Sequence, residues 1–247
     1  MFRTELMEAK PISQNATSAL NEQAEYRDMR SGRASRGSPT AIMSAAAECF
    51  RENGFAATSI DDVARSLGAT KGMIYHHFRS KTDLFFAVYQ RGMELNFEAI
   101  EPYGNHDGPA LDRLALMSLA HAVVLMEHQA FQRVLGQGVA MHQQGSTTAA
   151  QRETLAELIK VRDSYEATFR AAIEDAAKQE GFVVEDASLA SKSVLAVLNS
   201  TVFWYTPREA DAHHEQHTIA RQLVGYALRG LGARVPDCIE MTDEEKS

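Results

Sequence analysis
Between Thr58 and Lys81 the chain gathers side chains suited to gripping a polyanion: Thr58, Ser59, Thr70, Lys71, Tyr75, His76, His77 and Lys81, with Gly72 among them. Lysine and histidine offer cations to phosphate oxygens, while the hydroxyls of Thr, Ser and Tyr offer neutral donors. The ring of Tyr75 can also lie against a thymine methyl group. Gly72 costs a helix about 1 kcal/mol relative to alanine. Its missing side chain would let the backbone come close to a nucleic acid. Thr70 and Lys71 stand at the N-terminal end of the segment, where backbone N–H groups also point at anions. Lys81 opens the next segment and would clamp a phosphate. The plainer alternatives stay open here: Tyr75 and His77 as helix-packing residues, Lys71 as a solvated charge.

Positioning such groups takes short helices with firm stops, and the flanking residues supply them. Ser38-Pro39 gives an N-cap followed by proline at the first helical position. Ala41, Ile42, Ala45, Ala46, Cys49 and Phe50 follow at helical spacing, and Asn53-Gly54 ends the run. Thr58-Ser59-Ile60-Asp61 starts a second helix with capping-box spacing, Asp61 replacing the usual glutamate. That helix turns Ile60, Val63, Ala64 and Leu67 inward and stops at Gly68. Residues 69–78 form a third short helix with Met73, Ile74 and Phe78 as its core. Ser80-Lys81-Thr82-Asp83 repeats the capping spacing and launches a long helix through Leu84, Phe85, Val88 and Tyr89 to about Ile100. Two short helices joined through Gly68-Ala69, the second exposing polar groups, make a helix-turn-helix. The major groove admits the second helix while the first braces it against the backbone.

Further helical patterns cover 110–128, 129–142, 148–180, 186–206 and 213–231, and no segment alternates with period two, so the expected fold is all-α. The 247 residues are 45% hydrophobic, enough to bury a sizeable core, and two cysteines exclude a disulfide framework or a multi-cysteine zinc site. The net charge of −8 is unevenly spread: residues 27–81 hold nine basic and five acidic groups, while the chain from Thr82 onward holds 14 basic and 24 acidic ones. A basic segment on an acidic body can aim one face at phosphates. The longest strongly apolar uncharged run, Leu114–Met126, is 13 residues, too short to span a bilayer. The opening Met-Phe-Arg-Thr-Glu lacks the apolar core of a secretory signal, so the cytoplasm is the expected compartment and no membrane partner is expected. No Gly-x-Ser-x-Gly, phosphate-binding glycine loop or His-Glu-x-x-His occurs, which argues against an enzyme, and no cofactor is expected.

The block Thr70-Lys71-Gly72-Met73-Ile74-Tyr75-His76-His77-Phe78, followed by Ser80-Lys81 and preceded by the Gly54-Phe55 to Thr58 turn, resembles the TetR family of one-component bacterial regulators. The likeness runs over about residues 40–88. It implies DNA-backbone contacts at Tyr75, His77 and Lys81, and base or backbone contacts at Lys71, Gly72 and His76. Residues 1–37 lack helical periodicity and read as a flexible, basic-ended arm, its Arg33 and Arg36 either reaching a groove or forming a solvated tether, ahead of a three-helix DNA-binding domain over 38–88. A larger helical ligand-binding and dimerisation domain over 89–232, implied by the resemblance, and an acidic tail over 233–247 complete the chain. The expected function is a homodimeric regulator, in the first place a repressor, that leaves double-stranded operator DNA when a small-molecule inducer binds. The dimer would form on Leu189, Val194, Val197, Leu198 and Val202 together with Ile219, Leu223, Tyr226, Ala227 and Leu231.

Large or polar groups on apolar helices are the candidate ligand contacts: His121, His128, Phe131, Arg133, Tyr165, Phe169, Trp204 and Tyr205. Arg133 and Arg162, if buried, would point to an anionic ligand group. The Phe203-Trp204-Tyr205-Thr206-Pro207 segment is similar to members of the family tied to acyl-CoA, lipid or aromatic-acid catabolism. Two other readings remain: a metal-responsive regulator using His213, His214 and His217, with Asp211 and Glu215 near, or a helical interaction protein without sequence-specific DNA binding.

Overall fold
The computed structural model describes residues 37–104, 107–144, 148–207 and 212–239, and every regular element among them is helical. In chain order these are α1 (Pro39–Ala57), α2 (Ile60–Leu67), α3 (Lys71–His77), α4 (Lys81–Gly104) and α5 (Ala110–Glu127). They continue with α6 (Gln129–Gln144), α7 (Ala149–Glu180), α8 (Ala187–Asn199), α9 (Thr201–Trp204), α10 (Ala212–Gly230) and a 3₁₀ turn (Asp237–Ile239). Among the described residues no single helix is long and apolar enough to cross a membrane. The expected arm, with Arg33 and Arg36, lies outside the described residues.

Packing divides the described chain into two units that interleave in sequence: 37–92 with 130–161, and 93–129 with 162–239. Sequence motifs place a boundary at 88–89, whereas packing assigns α6 and the start of α7 to the same unit as α1–α3. In the first unit Ser38 caps α1, its Oγ accepting from Ala41 N–H at 3.2 Å. α1 is broken at Gly54, where φ is 75°, a left-handed conformation that glycine adopts without the Cβ penalty. Ile42, Phe50, Val63, Ile74, Leu84, Phe85, Val88 and Tyr89 are fully buried, each worth about 1.5–3 kcal/mol of hydrophobic transfer. Phe85 meets Phe50 and Phe55 edge-on, at centroid distances of 5.3 and 4.9 Å. α4 and α6 approach closely at two glycines. A Cβ on Gly92 would lie 2.7 Å from Leu135, and one on Gly138 would lie 2.6 Å from the Tyr89 ring.

One core expectation fails in this unit. Met73 is 37% exposed, because Ile74 takes the inward position and Met73 lies one step further round the helix, its sulfur against Gly37. Phe78 is half-buried.

In the second unit α5 packs against α8, α9, α10 and the 3₁₀ turn. Leu111, Leu114, Leu125, Phe169, Ile173, Leu198, Val224 and Leu228 are its buried centre. The expected helix over 186–206 is two segments, α8 and α9. Ser200 Oγ donates to the Val197 carbonyl at 2.7 Å and Thr201 Oγ1 to that of Leu198 at 3.1 Å. Such back-bonding hydroxyls compete with the helix ladder and turn the chain. Residues 233–239, expected as part of the acidic tail, pack against the fold: Ala233, Pro236 and Ile239 are buried, and Arg234 pairs with Glu180 at 3.1 Å. This stretch holds one Arg and one Asp, and the other acidic residues of the expected tail begin only at Glu240. Residues 240–247 lie outside the described residues.

Candidate nucleic-acid interface and buried polar cluster
The two short helices are stopped and capped at every end. Ser59 is the N-cap of α2: its Oγ accepts from Asp62 N–H at 3.2 Å, and Asp62 Oδ2 accepts from Ser59 N–H at 2.9 Å. The Ser59 hydroxyl and backbone bonds hold the Asp62 carboxyl below its usual range. The box therefore closes one residue later than the Thr58–Asp61 spacing suggests. Gly68, at φ 65°, ends α2, and Thr70 caps α3 by accepting from Met73 N–H at 3.3 Å.

α3 is anchored by Ile74 alone among its seven residues; Lys71, Gly72, Tyr75, His76 and His77 are all exposed. Tyr75 shows 45% of its surface, and the rings of His76 and His77 stand edge to face 4.9 Å apart. Lys71 Nζ donates to Asp61 Oδ2 at 2.9 Å, and that bond raises the lysine's pKa. Both partners are solvated, so the pair is weak and exchangeable. Lys71 can trade Asp61 for a phosphate.

Two expected DNA contacts are corrected. Thr58 is 2% exposed, its hydroxyl turned to the carbonyl oxygens of Cys49 (3.0 Å) and Gly54 (2.8 Å). It closes the broken end of α1 and presents nothing to solvent. Lys81 is half-buried, and its ammonium donates to the carbonyls of Phe55 (2.7 Å), Ala56 (3.3 Å) and Thr58 (2.8 Å). It also stands 4.4 Å over the Phe55 ring. All three of its N–H donors are engaged within the chain, so it ties α4 to the α1–α2 turn instead of waiting for a phosphate. Ser59 and Thr70 are exposed caps.

The second unit holds a buried polar cluster. His121 on α5 is 2% exposed, with Nδ1 2.8 Å from Tyr165 Oη and Nε2 3.1 Å from Asn199 Oδ1. The Asn199 oxygen can only accept, so Nε2 carries the proton and Nδ1 accepts from the tyrosine hydroxyl. Burial pushes His121 down to about 4 and Tyr165 well above 10, so both are neutral. Phe97 meets Tyr165 edge-on at 4.9 Å, and Phe169 lies 5.6 Å from His121 and 5.5 Å from Tyr165. Ser118, three positions before His121 on α5, is 1% exposed, and its hydroxyl hydrogen-bonds to no described residue.

The eight candidate ligand contacts are divided between the two units. His121, Tyr165 and Phe169 form this cluster, whereas Phe131 and Arg133 belong to the first unit. His128 is the half-buried C-cap of α5, and Tyr205 is buried with its carbonyl accepting from Gln129 Nε2 at 2.7 Å. Trp204 is 53% exposed and corrected as a pocket residue. The inward positions of α9 go to Thr201 and Val202, and the indole N–H reaches back to Ser200 Oγ at 3.2 Å. Arg162 is partly exposed and pairs with Asp163. His213 and His217 stack at 4.5 Å, yet among the described residues no three or more His, Cys, Asp or Glu stand where they could hold a metal ion. Asp211 lies outside the described residues. Three participants are not among the residues singled out from the sequence: Phe97, Ser118 and Asn199. The polar triple Asn199-Ser200-Thr201 inside an apolar helical pattern was the available signal for the last.

On α8, α9 and α10 the large apolar groups Leu189, Phe203, Trp204 and Tyr226 are 62%, 78%, 53% and 59% exposed. Surface of this kind marks association.

The chain is 33% identical to the HTH-type transcriptional regulator AcrR of Shigella flexneri over 67 residues, 25% of this chain and 31% of that protein. In structure it is similar to the TetR-family regulator PfmR of Thermus thermophilus, at a TM-score of 0.63 and 29% identity over 76% of this chain and 97% of that one. It shares its fold with AibR solved in complex with isovaleryl coenzyme A and operator DNA, at a TM-score of 0.58 and 24% identity over 78% and 97% of the two chains. The family model described as bacterial regulatory proteins, tetR family, matches residues 42–88, the helices whose caps and exposed face are described above. The model of the tetracyclin repressor-like C-terminal domain matches residues 107–231, and the chain therefore belongs to the TetR family of transcriptional regulators.

Proposed function
We propose that this chain is a homodimeric repressor that reads operator DNA with α3 and leaves it when a small molecule binds its second unit. The observation that carries the reading is α3 itself: a capped seven-residue helix on one buried anchor, Ile74, with Lys71, Gly72, Tyr75, His76 and His77 turned outward. Ser59 and Thr70 flank that face. Two copies joined through the exposed apolar surface of α8–α10 would offer two such helices to successive major grooves. A ligand that favours a wrongly spaced conformer then shifts the population off the operator.

The cluster of Ser118, His121, Tyr165 and Phe169 is the candidate ligand contact. It presents neutral hydrogen-bonding groups among aromatic rings, which suits the carbonyl of an acyl group. The coenzyme A ester bound by AibR is a relative's ligand of that chemistry. Acyl-CoA thioesters are accordingly the first compounds to try, and the cytoplasm is the compartment in which such a regulator would work.

The test is fluorescence anisotropy of a duplex from upstream of the gene, titrated across a salt series. Affinity exceeding a scrambled duplex by about 10³, with log affinity falling steeply with log salt, is the expected result. Equal affinity for both duplexes, and failure to enrich any site from a random pool, would remove the DNA-binding reading. Loss of the specific complex on adding an acyl-CoA would identify the inducer class; enhancement would reverse the sign of regulation.

A further inference from the structure
Gln137 sits on α6 between Gly136 and Gly138, outside the segment that the helix-turn-helix motif covers. Its side-chain amide nevertheless reaches the break in α1. Oε1 accepts from Phe55 N–H at 3.1 Å, and Nε2 donates to the Phe50 carbonyl at 2.8 Å. Both bonds straddle Gly54, the residue at which the chain leaves the helix on its way to α2. From the other side Lys81 Nζ takes the Phe55 carbonyl at 2.7 Å and covers the Phe55 ring. One peptide unit after another is therefore fixed at this residue: the N–H by α6, the carbonyl by α4, the ring by Phe50 and Phe85. α6 cannot drift from α4, since Gly92 and Gly138 bring the two helices into contact too tight for a Cβ. Residues 54–59 lead straight into the Ser59 cap of α2, and α2 into α3.

We propose that Gln137 is a positioning residue for DNA recognition: its amide fixes the α1–α2 turn, and so sets how α2 and α3 are presented. The proposal rests on the DNA-binding reading above. It makes α6 a working part of the reading head, without touching DNA.

The test uses full-length protein and a duplex that the wild type enriches from a random-sequence pool. Gln137→Met keeps the length of the side chain and removes both hydrogen bonds; Gln137→Glu keeps the acceptor and loses the donor. Specific affinity is expected to fall about tenfold in Gln137→Met, the scale of a lost pair of hydrogen bonds. Affinity for scrambled DNA, the salt slope and the dimer mass should not change, because no phosphate contact is removed. Hydrogen exchange of the Phe55 amide should quicken in the same variant. In Gln137→Glu, acidification that protonates the new carboxyl should restore specific affinity relative to wild type, since a carboxylic O–H can again donate to Phe50. Unaltered specific affinity in Gln137→Met alongside faster Phe55 exchange would overturn the proposal and leave the amide as a seal on the turn. Should Gln137→Met fail to fold, absence of acid rescue in Gln137→Glu overturns it equally. A wild type that enriches no duplex removes the DNA-binding reading and this proposal together, an outcome distinct from either variant result.

Discussion

The two units spend their polar groups in opposite ways. In the first, the chemistry stands on the surface: α3 holds itself by one isoleucine and gives the other six of its seven positions to solvent. In the second, His121 and Tyr165 are buried and bond to each other among phenylalanines, and the exposed Asn199 takes the remaining ring N–H of His121. An exposed charge costs the fold little and is available to a partner. A buried neutral relay must be fully paired, and any change in its protonation is felt by stability.

The largest expected effect breaks that relay with acid. An unfolded histidine titrates near 6.5, while burial holds His121 at about 4. Between those values the unfolded chain takes up a proton that the folded chain refuses, so this contribution to stability is lost as pH falls. The full window is worth about 3 kcal/mol at about 1.4 kcal/mol per pH unit. Urea midpoints at pH 7, 5.5 and 4.5 should therefore fall more steeply in wild type than in His121→Gln. Parallel slopes would mean that His121 is solvated.

A smaller effect separates tight packing from open surface within α6. Gly138→Ala drives a methyl toward the Tyr89 ring and should cost about 2 kcal/mol, or about 4–8 °C in Tm. Gly136→Ala, whose Cβ would meet nothing within 4 Å, should stabilise the helix by up to about 1 kcal/mol. Thermal melts of the two variants should move in opposite directions.

On the exposed side, Lys71→Ala should weaken the operator complex about tenfold while leaving Tm unchanged, as expected for a surface contact. The mildest change is Asp61→Asn. It frees Lys71 from its intramolecular partner and should tighten DNA binding about two- to threefold at low salt, an advantage that vanishes as salt screens the pair. Anisotropy at two salt concentrations checks both, and a weaker complex in Asp61→Asn would place Asp61 among the contacts themselves.

The helices were legible because their stops are local. Ser38-Pro39, Gly54, Gly68 and Ser80 each act within a few residues of themselves, and the observed ends fall within a few residues of the expected ones. The exposed face of α3 was legible for the same reason. Pairings across the sequence were not. Lys81 looks like any basic residue at a helix start until three carbonyls, 23 to 26 positions away, accept hydrogen bonds from its ammonium. Thr58 and Ser59 are adjacent candidates for one cap, and only the Cys49 carbonyl decides that Thr58 turns inward. The ligand cluster suffered most, since an aromatic or histidine on an apolar face carries no mark of which unit it will join. Phe131 and Arg133 went to the first unit and His121 to the second, across the break between Gln129 and Ala130.

The interleaving of the two units has a consequence for synthesis. Phe55 and Gln137 are 82 residues apart, and the first unit is not complete until about residue 161 has been made. At about 5–20 residues per second, some 4–16 s pass between the translation of Phe55 and that of Gln137. The DNA-reading helices leave the ribosome first, yet they spend that interval without the amide that closes the α1–α2 turn leading into them.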